Sequence, residues 1–423
     1  METPLTQNIG PGKAPPNLAQ YQANGGYEGL RNALNVSPEA AMDVVKESNL
    51  SGRGGAGFPT GLKWSFVPSG ENSPTPKYLV ANGDEMEPGT FKDRLLVEGD
   101  PHQLIEGMII SAYAIGASVG FIFLRCEYVL AAERCEKAIA ECLENNLLGK
   151  DILGSGFDFE LYVHGSAGRY ICGEETALIN SLEGRRANPR AKPPFPQVSG
   201  LWGKPTVVNN VETLCNVPHI LRNGAEWYQN LGIGADSGTK LYGASGRVKT
   251  PGTWELPLGV PVRDLIEKHG GGMQDGYKMK GFLPGGGSTD FLTGEHLDLP
   301  MNYESIGKAG SRMGTGQLII MDDQVCPVGM VLNLIQFFAQ ESCGWCTPCR
   351  DGLPQIQHLL EKLERGEGSW EELETLAEFP RFLGPGNTFC ALAPGAVEPL
   401  QSALKYFKDD FDNHIKQKCC PYG

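Results

Sequence analysis

Positive charge is scarce in this chain: 36 lysines and arginines stand against 50 aspartates and glutamates, a formal net charge of −14. Reading nucleic acid requires a basic field that displaces counterions, so nucleic acid is not expected as a partner. Anion binding is confined to local pockets, and Arg185, Arg186, Arg190 and Lys192 form one basic cluster. Long apolar runs are also missing. The longest uncharged stretch, Gly107 to Leu124, contains three glycines and is followed by Arg125. It falls short of the roughly 20 apolar residues a membrane span needs and reads as a core helix followed by a buried strand. Met1-Glu2-Thr3-Pro4 shows neither a basic segment nor an apolar one after it, so no secretory leader and no direct membrane insertion are expected. There is no Ser/His/Asp arrangement, no H-E-x-x-H and no Walker A pattern, and no repeat of solenoid length. Chemistry that needs little acid–base machinery, such as hydride transfer carried by a cofactor, is compatible with these absences.

What is present is ample core material. At 423 residues, 40% apolar and 20% charged, the chain is a globular protein of two to four domains. Its 56 glycines and 30 prolines sit in discrete loops between periodic segments. Twelve cysteines without a leader indicate a reducing compartment, where cysteines bind metal or stay buried as thiols, and a cytoplasmic location is expected.

One stretch concentrates those cysteines: Cys343-Gly344-Trp345-Cys346-Thr347-Pro348-Cys349-Arg350. The C-x2-C-x2-C spacing lets three sulfurs turn into one pocket, where thiolates repel unless cations neutralise them. Cys390 is the best-placed fourth ligand. Three close cysteines and a remote one suit a [4Fe–4S] cluster, while structural zinc more often takes two separated C-x2-C pairs. Free thiols are the third reading.

The periodic segments alternate in type. Residues 1–36, rich in Pro, Gly and Asn, read as an extended N-terminal arm. Ser37-Pro38-Glu39 is a helix start, with Ser as N-cap and Pro at the first helical position. Lys77 to Ala81 reads as a strand, Pro101 to Ile115 as a helix, Val119 to Leu124 as a buried strand. Glu127 to Asn146 reads as a helix with Leu130, Ala138 and Leu143 inward, and Phe157, Phe159, Leu161 and Val163 alternate as a strand. This alternation implies a Rossmann-like, doubly wound parallel sheet with ligands at the carboxyl ends of its strands. Residues 239–323 change character. A hairpin spans 240–255, one helix spans Val262 to Lys268, and a closing strand runs from Leu318 to Met321, which together suggest a β-grasp-like insert. From Pro327 onward helices dominate, with further ones near 353–364, 370–382 and 396–407. The expected division is therefore an arm (1–36), an α/β domain (37–238), a β-grasp domain (239–325), a helical four-helix-type bundle that carries the cysteines (326–415) and a tail (416–423).

The loops between these segments carry the candidate sites, and each has a structural reading beside the functional one. Gly52-Arg53-Gly54-Gly55-Ala56-Gly57 fits G-x-G-x-x-G, but a dinucleotide finger needs a strand before it and a helix after it. A helix precedes here, and Phe58-Pro59-Thr60-Gly61 opposes a helix directly after, so a Rossmann finger is rejected. The glycines still let backbone N–H groups approach a ligand, with Arg53 and Lys63 adding charge for a phosphate, and a plain tight turn explains them equally well. In Asn82-Gly83-Asp84-Glu85-Met86-Glu87-Pro88-Gly89 the acids read on spacing as a solvated loop or a hard-cation site. At a strand's carboxyl end, Asp84 is the best candidate to accept hydrogen bonds from ribose or ring N–H groups. Glu174 and Glu175 open a helix, where acids favour the dipole by ~0.3–1 kcal/mol. Tyr170 either stacks on a flat ligand or fills core, and Cys172 reads as a buried thiol. Phe195, held by surrounding prolines, makes with Phe58 and Phe66 either a stacking platform or ordinary core. Asn209 and Asn210 place paired amides after an apolar stretch, suited to a polar head group. Cys419-Cys420 has no partner spacing and reads as a mobile tail.

Taken in order, Gly52 to Gly61, Asn82 to Gly89, Gly168 to Glu175, Asn209-Asn210 and Glu341 to Arg350 resemble the NADH-binding flavoprotein subunit of bacterial respiratory complex I, from about Gly25 to Ile415. The resemblance implies FMN, NADH as substrate and one [4Fe–4S] cluster, with residues 239–323 a ubiquitin-like β-grasp insert. It implies that Gly52, Arg53, Gly54, Gly55, Gly57, Lys63, Asn82, Asp84, Tyr170, Gly173, Glu174, Asn209 and Asn210 surround the flavin. It puts Phe58, Phe66 and Phe195 around adenine and Glu85, Glu87 and Glu175 in the nicotinamide-nucleotide pocket. Glu85, Glu174 and Glu175 take the catalytic positions, and Cys343, Cys346, Cys349 and Cys390 ligate the cluster. Implied partners are a thioredoxin-like [2Fe–2S] subunit and a large multi-cluster subunit on the cytoplasmic side of the inner membrane.

NADH gives two electrons as hydride and an iron–sulfur cluster accepts one, so such a chain is an electron-entry converter that must pass electrons on toward quinone. Two rivals remain: a diaphorase subunit of a soluble NAD-linked hydrogenase or formate dehydrogenase, and, from another class, a zinc-stabilised interaction protein without catalysis.

Overall fold

In the computed structural model, which describes residues 2–70 and 72–423, the chain divides into two units. The first comprises 2–86, 91–241 and 255–259, and the second 87–90, 242–254 and 260–423.

The first unit is built on four parallel strands, β1 (Tyr78–Gly83), β2 (Val119–Leu124), β3 (Glu160–Gly165) and β4 (Thr206–Asn210), in the order β3-β2-β1-β4. Three of them are largely buried, reading as near-continuous apolar runs because helices cover both faces of such a sheet. The register sets Gly83 opposite Leu124, Leu124 opposite Gly165, and Asn82 opposite Asn210, so all four carboxyl ends lie along one edge. Chain order runs outward from β1 through β2 to β3 and then returns to the other side of β1. The direction of winding therefore reverses between β1 and β4, the switch point where doubly wound sheets open a crevice for ligands.

The helix Pro101–Ile115 links β1 to β2. Asp100 caps it by accepting the Gln103 N–H, Pro101 starts it, and Gly116 at φ +71° ends it. Nearly every residue of this helix is buried, and it forms the spine of the core with the helix Val211–Asn223.

Several expectations are corrected. The N-terminal arm is not extended throughout: it contains the helices Leu18–Ala23 and Glu28–Leu34, and Tyr21, Tyr27, Leu30 and Ala33 are buried. Its Pro- and Gly-rich composition conceals these anchors. In the helix Val129–Glu144 the inward stripe is Ala131, Cys135, Ala138, Ile139 and Cys142, while Leu130 and Leu143 are exposed. The helix turns its small residues inward, where Cys142 Sγ lies 2.9 Å from the Tyr27 hydroxyl, and leaves both leucines outside. A helix does follow Phe58, over Thr60–Ser65, because Pro59 occupies the N-cap, where its missing N–H costs nothing. Phe157 and Phe159 precede β3 rather than belonging to it.

A second, mixed sheet, most of it within the second unit, has the order β6-β5-β8-β7, with β5 (Thr239–Ser245), β6 (Gly252–Pro257), β7 (Met279–Leu283) and β8 (Gln317–Asp322). β5 runs parallel to β8, and β7 antiparallel to it. One helical segment, Val262–Asp264 continuing as a π-turn through His269, completes a β-grasp-like arrangement. Helices Pro327–Glu341, Thr347–Glu364, Trp370–Leu383, Leu392–Tyr406 and Lys408–Gln417 follow. The second of these begins at Thr347 rather than 353, which puts Cys349 in its first turn, and the last extends the expected bundle by one helix. Among the described residues no helix is long and apolar enough to cross a membrane.

Candidate active site and metal centre

The glycine-rich loop is pinned from beneath. The Arg53 N–H donates to Thr213 Oγ1 at 2.8 Å, and Gly52 N–H donates to the Phe58 carbonyl at 2.8 Å. Gly55 at φ +124° and Gly57 at φ +67° adopt backbone conformations that a Cβ would strain. Gly54 lies against β4, where a Cβ would come 2.9 Å from Asn210 Cβ. The loop thus runs beside the carboxyl end of β4 with nothing but backbone there.

Arg53 is not where a phosphate ligand would be. Its guanidinium is fully buried and donates to Ser51 Oγ (2.6 Å), Tyr228 Oη (3.0 Å), Ser237 O (3.1 Å) and Thr239 O (3.0 Å). These four oxygens take the terminal nitrogens of the guanidinium in the interior, so the side chain anchors the loop.

Lys63 stays at the site. It lies 2.9 Å from Glu175 Oε2 and donates to Val208 O at 2.8 Å. Lys192 holds the other Glu175 oxygen at 2.7 Å and reaches Glu174 at 3.4 Å. Burial raises the Glu175 pKa, but the two ammoniums outweigh it and hold the carboxyl below its ordinary range. Glu174 serves a different end. Its Oε2 accepts the N–H groups of Thr176 (2.8 Å) and Ala177 (2.9 Å), capping the helix Glu175–Leu182.

The β1 end is tied to the same region. Asn82 Nδ2 donates to Gly173 O at 2.9 Å, and Ser166 Oγ donates to Asp84 Oδ1 at 2.6 Å. Glu85 is buried and accepts from Asp93 N (2.8 Å), Arg94 N (3.1 Å) and the Tyr128 hydroxyl (3.1 Å). Burial and the neighbouring Asp93 charge push its pKa up to about 7, against the pull of Lys92 and the two N–H groups. Asn209 and Asn210 end β4. Trp64 Nε1 donates to Asn209 Oδ1 at 2.9 Å, and Asn210 Nδ2 donates to Asp93 Oδ2 at 2.7 Å. Tyr170 is half-buried in a short 3-10 turn that leads to Gly173. Phe58 and Phe66 are both exposed with ring centroids 6.3 Å apart, and Phe195 is exposed with Lys192 over its ring at 6.0 Å. Glu87 belongs to the second unit, where it accepts the Ser288 N–H at 2.7 Å.

Residues with no motif of their own complete the network. Lys92 lies 2.7 Å from both Asp93 and Glu212, and Lys240 lies 2.8 Å from Glu212, all of them buried. Nothing in their spacing marks them, because the cluster is assembled from separate segments. The backbone-only loop, the Lys63 ammonium and the paired amides at the switch point together fit a flat ligand that carries a phosphate, as FMN does.

In the second unit, Cys343 and Cys346 precede the helix Thr347–Glu364, Cys349 lies in its first turn, and Cys390 stands just before Leu392–Tyr406. Trp345 and Phe389 lie with ring centroids 6.4 Å apart, which brings the two cysteine-bearing loops side by side. Burial, together with the nearby Cys346 and Cys343, pushes the Cys349 thiol up to about 11, even though the Ser342 hydroxyl 3.1 Å away lowers it. Thiols that oppose one another's ionisation are a donor set that cationic iron would neutralise, and Cys390, on the adjoining loop, is the candidate fourth ligand.

Comparison with known proteins agrees with both sites. The Nuo51 FMN-binding domain family matches residues 45–219, the SLBB domain family residues 244–291, and the NADH-ubiquinone oxidoreductase-F iron-sulfur binding region residues 329–414. The NADH-quinone oxidoreductase F subunits of Salmonella typhimurium and Escherichia coli are each 62% identical over 415 residues, covering 98% of this chain and 93% of theirs. One of the corresponding F subunits of Rhizobium meliloti is 51% identical over 96% of both chains. An NAD+-reducing [NiFe]-hydrogenase in the air-oxidised state superposes with TM-score 0.80 at 35% identity; the match covers 90% of this chain but only 63% of that one. An FMN-binding α/β domain and a 4Fe-4S binding region in one chain define an NADH-oxidising flavoprotein of the electron-transfer type. The chain belongs to the family of NADH-quinone oxidoreductase F subunits, so its partners are other subunits of complex I, and the hydrogenase is a distant relative.

Proposed function

We propose that this chain admits electrons to a membrane-bound NADH:quinone oxidoreductase, with FMN supplying the hydride acceptor and a [4Fe–4S] cluster the one-electron exit toward quinone. The observation that carries this is the switch point between β1 and β4. There the glycine loop, Lys63, Asn82, Asp84, Gly173, Asn209 and Asn210 converge at the carboxyl edge of the sheet.

The chain's own residues do the following. Loop amides of Gly52–Gly57 and the Lys63 ammonium would receive the flavin phosphate, while Asn82, Asp84, Tyr170, Asn209 and Asn210, with Glu174 through the Oε1 its helix cap does not use, would present polar and aromatic groups to the ring. The exposed pair Phe58 and Phe66, with Phe195, offers faces on which adenine stacks. Lys63 and Lys192 face Glu174 and Glu175, two charges of each sign, so the dinucleotide's charge is tolerated without being trapped. Glu85, with its pKa raised to about 7 by burial and Asp93, can hold or release a proton near neutral pH. Cys343, Cys346, Cys349 and Cys390 hold the cluster. In domain terms, 37–238 binds FMN and NADH, 239–325 is the β-grasp, and 326–415 carries the cluster, flanked by 1–36 and 416–423. The partners are a thioredoxin-like [2Fe–2S] subunit and the large multi-cluster subunit, on the cytoplasmic face of the inner membrane.

An absorbance spectrum with flavin and iron analysis tests this reading: a yellow-brown protein with about one flavin and four irons is expected. A colourless protein without flavin would overturn it. The likeness to the hydrogenase favours a second host, and co-purification decides between them. Hydrogenase subunits without a quinone-reducing arm would replace the first host by the second.

A further inference from the structure

Four residues that no motif joins meet at the C-terminal end of the second unit. Cys326, Glu364, His414 and Cys420 each present one donor atom, and all four atoms lie within 4.8 Å of one another. Cys326 Sγ is 3.4 Å from His414 Nε2 and 2.9 Å from Glu364 Oε1, and His414 Nε2 is 3.4 Å from Glu364 Oε1. Cys420 also hydrogen-bonds Glu364. A tetrahedron with metal–sulfur bonds of about 2.3 Å and metal–nitrogen or metal–oxygen bonds of about 2.0 Å has edges of about 3.3–3.8 Å. Two of the three edges that meet at His414, those to Cys326 and Glu364, have that length. The Cys326–Glu364 edge is shorter, as expected while a thiol proton still bridges sulfur and carboxylate.

The surroundings are those of a ligating set. His414 Nδ1 lies 2.7 Å from the Asp410 carbonyl, which can only accept, so Nδ1 carries a proton and Nε2 is the nitrogen that faces the other donors. His414 is fully buried, and the other three are partly buried. Cys326 is the N-cap of Pro327–Glu341, Glu364 is the last residue of Thr347–Glu364, and His414 lies in Lys408–Gln417.

The tail is steered to this place. After Gln417 the chain reverses at Lys418, φ +55°, and passes over Gly366, where a Cβ would be 2.1 Å from the Lys418 carbonyl carbon. Beyond Cys420, the Tyr422 hydroxyl bonds to both the Asp410 carboxylate and Lys280 Nζ. The chain is thus held on both sides of Cys420. From sequence alone this segment reads as a mobile end, and the structure places it otherwise.

We propose that Cys326, Glu364, His414 and Cys420 form a mononuclear zinc site, separate from the four-cysteine cluster, that clamps the C-terminal tail to the helical bundle. Two thiolates, one imidazole and one carboxylate are donors Zn²⁺ takes in a closed, four-coordinate structural site, and with no position left for water the role is structural.

The test uses the full-length protein with its flavin and cluster, expressed in zinc-supplemented medium, with zinc, iron and flavin measured on the same sample. Expected is about one zinc per flavin beside about four irons. Cys420→Ser and His414→Ala should each abolish the zinc while flavin and iron stay at wild-type level, and Cys419→Ser should retain it. Wild-type protein that carries flavin and iron but no stoichiometric zinc overturns the proposal, as does zinc that persists in both Cys420→Ser and His414→Ala. Loss of flavin and iron from the wild type would instead count against the electron-entry reading, so the two failures are distinguishable.

Discussion

Adjacent positions 174 and 175 show how one residue type serves two ends. Both are glutamates at a helix start, and sequence treats them alike. In the structure Glu174 turns back to cap Thr176 and Ala177, while Glu175 reaches outward between Lys63 and Lys192. Glu174→Ala should therefore lower stability by about 0.5–2 kcal/mol, the usual cost of a lost N-cap, read from a denaturation midpoint. Glu175→Gln leaves Lys63 without its carboxylate and Lys192 with Glu174 alone, a net positive charge beside the site. A gain of about 1 kcal/mol for the anionic dinucleotide, close to a fivefold fall in KM for NADH, is expected with flavin and iron content unchanged. Steady-state kinetics check it, and an unchanged KM would return Glu175 to a purely helix-start role. Glu212 shows a third use of a carboxylate. Burial raises its pKa, yet Lys240 and Lys92 outweigh burial and hold it at about 2. Its stabilisation is therefore fully present above the ordinary carboxylate pKa of 4.5 and is lost as pH falls from there toward 2. Glu212→Gln should cost about 3–5 kcal/mol at neutral pH by stranding buried ammoniums, and its stability should fall less steeply than wild type over that acid range. Denaturant titrations at neutral and acid pH would show both effects.

At the level of elements, helix limits are mostly legible in the sequence, and arrangement is not. Pro101 to Ile115 can be read in full because a cap, a first-turn proline and a C-terminal glycine bracket it. β1 is legible to within two residues at its ends, since a buried run announces itself. That β4 returns beside β1 leaves no local trace, because strand order is decided by which helix faces cover the sheet. The inward face of Val129–Glu144 escapes sequence reading for a related reason: apolar size suggests leucine, and the buried side takes mostly alanine and cysteine. Arg53 looks like a phosphate ligand because charge beside glycines suggests one, and only the positions of Tyr228, Ser237 and Thr239 reveal its inward turn. The Cys326, Glu364, His414 and Cys420 set has no short spacing to read at all. What holds the glycine loop against β4 is likewise tertiary, and it can be tested. Gly54→Ala puts a Cβ 2.9 Å from Asn210 Cβ, closer than carbon atoms tolerate, so one of them must move. We expect severalfold loss of bound flavin with an unchanged circular dichroism spectrum, measured as flavin fluorescence released on denaturation.

Across the whole chain, the chemistry is divided in the same way as the fold. The flavin-side groups lie on the first unit's sheet, whose core is built from the N-terminal helices, Pro101–Ile115 and Val211–Asn223. Cys343, Cys346, Cys349 and Cys390, the proposed cluster ligands, all lie in the second unit, among helices that pack on one another. The hydrogen bonds that orient Lys63, Asn82, Asp84 and Glu85 come from the first unit, and the Ser342 hydroxyl beside Cys349 belongs to the second. Losing the cluster should therefore leave the hydride-accepting half intact. Cys390→Ala removes one of four thiolates and places nothing in the first unit. The variant is expected to retain about one flavin, to lose most of its four irons, and to keep NADH-dependent reduction of a small artificial acceptor such as ferricyanide within about twofold. In the assembled complex, quinone reduction by the same variant should be abolished, because electrons that have reached the flavin have no one-electron exit. A variant that keeps quinone reduction would show that Cys390 is not a ligand. A variant that loses flavin along with iron would show that the two halves are not independent.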